Sequence, residues 1–228
     1  MAETGFESPV ERRSFFSRGL AACAAIAGIG GLAAQAQSLP QWKPIRHAQD
    51  DWLNLPGKHR VVFDSATPDG FGLGLLFCGN YYVVHQDAYN LKNNELAAVL
   101  VARHHATPFA FNDVIWGKYG TILGQLANFI DPKTKQTPAS NLYNAADYGA
   151  LNNRGTTIDS LTKRGMRIAV CGMATRQLSD AMAASVGSNG GRVYAEVVAN
   201  LVPNARLVPS GVIAVTRAQE RGYSIIST

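Results

Sequence analysis

The sequence predicts an α/β protein: a three-layer α/β/α sandwich on a mostly parallel five-stranded sheet. Two observations predict it. Short runs that are apolar throughout, such as "RVVF" and "LAAVLVA", alternate along the chain with longer segments of helical spacing. Strands that lack a polar alternation need cover on both faces, and helices crossing between parallel strands supply it. A length of 228 residues and a hydrophobic content of 46% suffice for one such domain with additional segments.

Taken in order, residues 37–58 are mixed, with three prolines and two tryptophans. They read as an extended arm that Trp42 and Trp52 anchor to the domain. "HRVVFDS" (59–65) is a buried strand, and "TPDG" (67–70) is a turn that opens the helix of 71–89, although that helix is rich in glycine. "ELAAVLVAR" (95–103) is the second strand, followed by a Pro-containing turn and a helix within 104–120. Residues 121–155 lose the pattern, contain the loop "DPKTKQTP", and read as an insertion. Regularity returns with a short helix (157–165) that stops at Gly165 and the strand "MRIAVCG" (166–172). A helix (173–185), a turn, a second helix (192–203) and a strand and turn (205–211) come next. A helix ending at Gly222 and a last strand, "YSIIS", close the domain at 59–228. No GxGxxG follows the first strand, so a dinucleotide site has no fingerprint, and no cofactor is expected.

The N-terminus has a different character. Arg12-Arg13 precede Ser14 and Phe15-Phe16, no charge occurs between Arg18 and Lys43, and Ala34-Gln35-Ala36 is a small-x-small cleavage site. Residues 1–36 resemble a twin-arginine export signal, with Glu11 and Ser17 departing from the usual flanks. Cleavage after Ala36 would release a periplasmic chain starting at Gln37. Left uncut, the uncharged span 19–42 is long enough to anchor the protein in the inner membrane. Leu20-Ala21-Ala22-Cys23 matches a lipoprotein box but lacks an apolar stretch before it. The remaining cysteines, Cys78 and Cys171, are too few for a disulfide framework. The net charge of +5 is dispersed, with no basic run interleaved with aromatics, so no nucleic-acid partner is expected.

Cys171 ends a strand, and the helix that follows it presents N–H groups and a dipole that favour a thiolate. Gly172 permits close backbone approach, and Arg176 adds positive charge if it turns back. The plain alternative is a small apolar strand residue. Cys78 reads as core, with a resolving cysteine as its alternative. "RHHATPFAFND" places Arg103, His104, His105, Thr107, Asn112 and Asp113 after another strand end, with His104 or His105 suited to proton transfer near neutral pH. On an extended segment the two rings would point opposite ways. No carboxylate or cysteine stands at ligand spacing from them, so no metal site is expected. There is no GxSxG and no carboxylate pair to suggest a hydrolase.

"GMRIAVCGMATRQL" (Gly165 to Leu178), "LVPSGV" (Leu207 to Val212) and "GYSII" (Gly222 to Ile226) together resemble the DsrE/DsrF-like family of sulfur-relay proteins, over roughly residues 58–228. With the leader, "WxxxRHAQDDWL" and "GMATRQL", the chain looks like an exported subgroup of that family. The resemblance implies a persulfide carried on Cys171, a sulfurtransferase-like activity, and homo-oligomers or hetero-oligomers. Two alternatives stand beside it. One is a small-ligand binding protein. The other is an accessory subunit of a membrane-bound complex at the periplasmic face.

Overall fold

A computed structural model describes residues 42–228. The expected export signal (1–36), the Cys23 box and residues 19–41 of the candidate membrane span 19–42 lie outside the described residues. One unit, Pro44–Thr228, holds every element described below.

Its strands are β1 (His59–Ser65), β2 (Leu96–Ala102), β3 (Arg167–Cys171), β4 (Ala205–Val208) and β5 (Ser224–Ser227). They form one five-stranded sheet in the order β4-β3-β2-β1-β5, and every neighbouring pair is parallel. The helices are α1 (Pro68–Tyr89), α2 (Asp113–Ala127), α3 (Ile158–Arg164), α4 (Gly172–Ser185), α5 (Gly190–Ala199) and α6 (Gly211–Glu220). The chain steps outward from β1 to β4 and then returns to the far side of β1. Right-handed crossovers therefore put α1 to α5 on one face and α6 on the other.

The strand side chains divide accordingly. Phe63, Leu100, Ile168 and Val170 point into a large core with Phe71, Trp116, Met182 and Val197. Val62, Val99, Val101 and Ala169 point into a smaller one with Ala214, Val215 and Ala218 of α6. Both faces are covered, giving the three-layer sandwich.

The arm contributes to the second layer. It is not extended throughout: residues Ala48–Leu53 form a 3-10 helix whose Trp52 and Leu53 are buried in the smaller core. The Tyr223 hydroxyl donates to the Leu53 carbonyl at 2.8 Å, and Arg167 donates to that of Trp52 at 3.3 Å. Trp42, expected as a second anchor, is exposed.

Helix boundaries follow local signals. Thr67 caps α1 by accepting from the Gly70 N–H at 2.9 Å, with Pro68 in the first turn. Thr157 and Ser160 form a reciprocal cap on α3, which Gly165 ends at φ 108°.

The segment expected as an insertion at 121–155 begins later and lies deeper. Residues up to Ala127 belong to α2, which ends at Asn128 in the left-handed region. Beyond it, Phe129, Leu142 and Tyr143 join the large core. The Asn141 amide donates to the carbonyls of Phe109 and Phe111 at 2.8 and 3.0 Å, and Tyr143 donates to that of Pro68 at 2.7 Å. This stretch is a wall of the core. Among the described residues no helix is long and apolar enough to cross a membrane.

Candidate functional site

Because all five strands are parallel, their carboxyl ends lie along one edge, where sheets of this kind bind ligands. Three of those ends carry chemistry on the α6 face. In β1, Phe63 faces the large core, so Asp64 faces α6. In β2, Ala102 faces the large core, so Arg103, the next residue, turns toward α6. In β3, Val170 faces the large core and Cys171 turns the same way as Arg103.

Asp64 and Arg103 meet in a two-pronged ion pair. Nε donates to Oδ1 at 2.6 Å and Nη2 to Oδ2 at 2.9 Å, with side chains 12% and 29% exposed. This is the strong, orienting form of the carboxylate–guanidinium contact. It raises the Arg103 pKa above its ordinary value, first through hydrogen bonding to Asp64, against the opposing effect of burial. Ala102 pairs with Val170 in the parallel register, so Arg103 and Cys171, the residues that follow them, end neighbouring strands on the same face. Gly211, the first residue of α6, sits over the Arg103 side chain. A Cβ there would lie 2.5 Å from Arg103 Cβ.

Cys171 is buried, free of any disulfide, and occupies the N-cap of α4 without a side-chain capping bond. The Thr175 hydroxyl donates to the Cys171 carbonyl at 2.8 Å, and that of Ser179 donates to the Thr175 carbonyl at 2.8 Å. Neither hydroxyl is left to contact the thiol as a donor. Gly172 is required where it stands: a Cβ would lie 2.7 Å from the Val208 carbonyl oxygen of β4. Gly172→Ala is accordingly expected to push α4 away from β4 and to cost about 2 kcal/mol. A lowered urea midpoint checks this, and an unchanged midpoint would contradict the close approach.

Arg176 and Gly172 line one open groove of about 660 Å³ between the start of α4 and the end of β4. The Arg176 guanidinium lies 3.5 Å from the centroid of the Tyr194 ring, a cation–π contact that holds it over the groove.

The other residues picked out in the sequence lie elsewhere. His104 has φ 53°, in the left-handed region, and starts a 3-10 helix at His104–Ala110. The segment is thus not extended, and the His104 and His105 rings stack with centroids 3.9 Å apart. The His105 pKa is lowered by its partial burial and then by the neighbouring His104 charge. His105 borders a separate cavity of about 500 Å³ with Asp69 and Asn152. Asn112 caps α2 by accepting from Val114 N–H at 3.0 Å, and its amide donates to Asn200 at 3.3 Å. Asp113 accepts from the Asn141 N–H at 2.7 Å. Both side chains have structural work.

Cys78 is fully buried in the large core, and burial pushes its thiol far up from its ordinary value. It lies ten residues into α1, about 15 Å along the helix from the strand-end edge. It is placed to fill space and not to resolve a bond at Cys171. Among the described residues no group of three or more His, Cys, Asp or Glu could hold a metal ion.

Arg103 is one of the polar residues that the sequence places after a strand end, and Asp64 is the participant that a reading of motifs misses. The only signal is a charge at the end of each buried run, "VVFD" and "VLVAR".

No protein-family model matches the chain, and no curated protein matches it. Among solved structures, the protein of unknown function MTH1491 from Methanobacterium thermoautotrophicum is similar at 18% identity and a TM-score of 0.37, over 75% of this chain and 100% of that one.

Proposed function

We propose that the protein carries sulfane sulfur as a persulfide on Cys171. The observation that carries this reading is the row Asp64–Arg103–Cys171 across three adjacent strand ends, with the thiol at the N-cap of α4. A helix N-terminus and a fixed guanidinium both favour the anionic form of a sulfur nucleophile and of the persulfide it forms. Arg103 cannot swing away, because Asp64 grips both prongs of its fork. The resemblance of "MRIAVCGMATRQL" to sulfur-relay proteins supports the same reading.

Mass spectrometry of the intact protein after treatment with polysulfide tests it. The expected result is a gain of one sulfur atom located on Cys171 and absent from Cys171→Ser. No gain from polysulfide in the wild-type chain would overturn the reading.

Export by the twin-arginine route belongs to the same proposal, supported by Arg12-Arg13 and Ala34-Gln35-Ala36. Persulfide chemistry would then take place in the periplasm. Sequencing the N-terminus of the protein from its host checks it: Gln37 is the expected first residue, and an intact Met1 points to anchoring through span 19–42.

A further inference from the structure

We propose that the groove beside Cys171 seats a low-molecular-weight thiol bearing carboxylates, which arrives as its persulfide and leaves as its thiolate. This rests on the persulfide reading and names the donor for it. The groove has the volume of a small-molecule site, about 660 Å³. Its charge is one-sided: Arg176 and Arg206 line it and no Asp or Glu does. Neither arginine has an ion-pair partner among the described residues. The Arg176 guanidinium is held 3.5 Å from the centroid of the Tyr194 ring, a contact that leaves its N–H groups without an ion-pair partner among the described residues. Arg206 stands on the edge strand β4 and is exposed.

The rest of the lining combines the neutral polar Gln49 and Gln177 with an apolar stretch that includes Pro209 and the exposed Met173. Sulfide or a bare oxyanion would leave most of this volume unfilled. A purely apolar ligand would leave two guanidinium groups unanswered. An organic anion of roughly tripeptide size fits both features. The groove borders the reacting residue through its neighbours. Gly172 lines it directly after Cys171, and Val208, the strand partner of Cys171, lines it too.

The step balances without any outside oxidant. The Cys171 thiolate attacks the outer sulfur of R–S–SH, a Cys171–S bond forms to that sulfur, and the R–S–S bond breaks. The electron pair leaves on R–S⁻, and the hydrogen stays on the transferred sulfur. Carboxylates on R, held by the two arginines, place that outer sulfur at the strand end.

The test uses the full chain and two probes. S-methylglutathione, which has no free thiol, is titrated calorimetrically into wild type, Cys171→Ser and the double variant Arg176→Gln/Arg206→Gln. Saturable binding is expected, retained in Cys171→Ser and weakened at least about tenfold in the double variant. Loading of Cys171 is then compared between glutathione persulfide and the cationic persulfide of cysteamine. The anionic donor is expected to load faster in wild type, with the preference lost in the double variant. Both arginines are exposed, so the variant should keep its wild-type melting temperature, which is checked alongside. Absence of saturable binding, or binding that the double variant leaves unchanged, overturns the seat. Binding as expected with no sulfur on Cys171 from any donor overturns the persulfide step and leaves an anion-binding groove.

Discussion

Arg103→Met is expected to destabilise the protein by about 3 kcal/mol, because it strands the nearly buried Asp64 carboxylate without its partner. It should also slow alkylation of Cys171 by iodoacetamide, because the fixed cation at the neighbouring strand end is removed. The two effects separate in a cycle of variants. Asp64→Leu combined with Arg103→Met removes both charges and should recover much of the stability, since no lone ion remains. Its Cys171 should stay slow, because the cation is still missing. Arg103→Lys keeps the charge without the fork, and its Cys171 should react at a rate between those of wild type and Arg103→Met. Equal alkylation rates in wild type and folded Arg103→Met would show that the guanidinium does not act on the sulfur.

Tyr143→Ala should cost about 4 kcal/mol, the range found for deleting a fully buried aromatic side chain. Tyr143 is fully buried. Its ring centroid lies 4.9 Å from that of Phe109 in an edge-on arrangement, 5.5 Å from Phe71 and 6.1 Å from Phe129. Tyr143→Phe keeps this packing and loses only the bond to the Pro68 carbonyl, for about 1 kcal/mol. Urea denaturation measures both. A cost below about 1 kcal/mol for Tyr143→Ala would mean that residues 128–157 are a detachable loop and not a core wall.

These two cases also mark where the sequence is legible and where it is not. The three central strands are readable because each is built on an unbroken apolar run between turn signals. A strand buried on both faces has no other way to be written. The helix over α1 is readable despite its glycines, since Thr67-Pro68 opens it and its apolar spacing persists. The wall formed by 128–157 is not readable. Its contacts are long-range: Asn141 reaches carbonyls 30 and 32 positions away, and no local pattern encodes such a bond. The end of α2 is hidden for a related reason, because Gly120 and Gly124 weaken a helical pattern that runs on to Ala127.

At the site, Cys171, Gly172 and Arg176 are visible from their place after a strand and at a helix start. The pairing of Asp64 with Arg103 spans 39 positions and two strands, so it appears only once the parallel register brings the strand ends together. The histidine pair misleads because the left-handed backbone at His104 is uncommon for any non-glycine residue and no local signal announces it. An extended segment would have parted the rings, and the turn stacks them.

The claim on which the rest depends is that Cys171, and not Cys78, carries transferable sulfur. Cyanolysis measures this directly, since cyanide removes only sulfane sulfur and releases it as thiocyanate. After loading with polysulfide and removal of the excess, wild type and Cys78→Ala should each release about one equivalent of thiocyanate per chain, and Cys171→Ser none. No thiocyanate from wild type, or an equal yield from Cys171→Ser, would contradict the account.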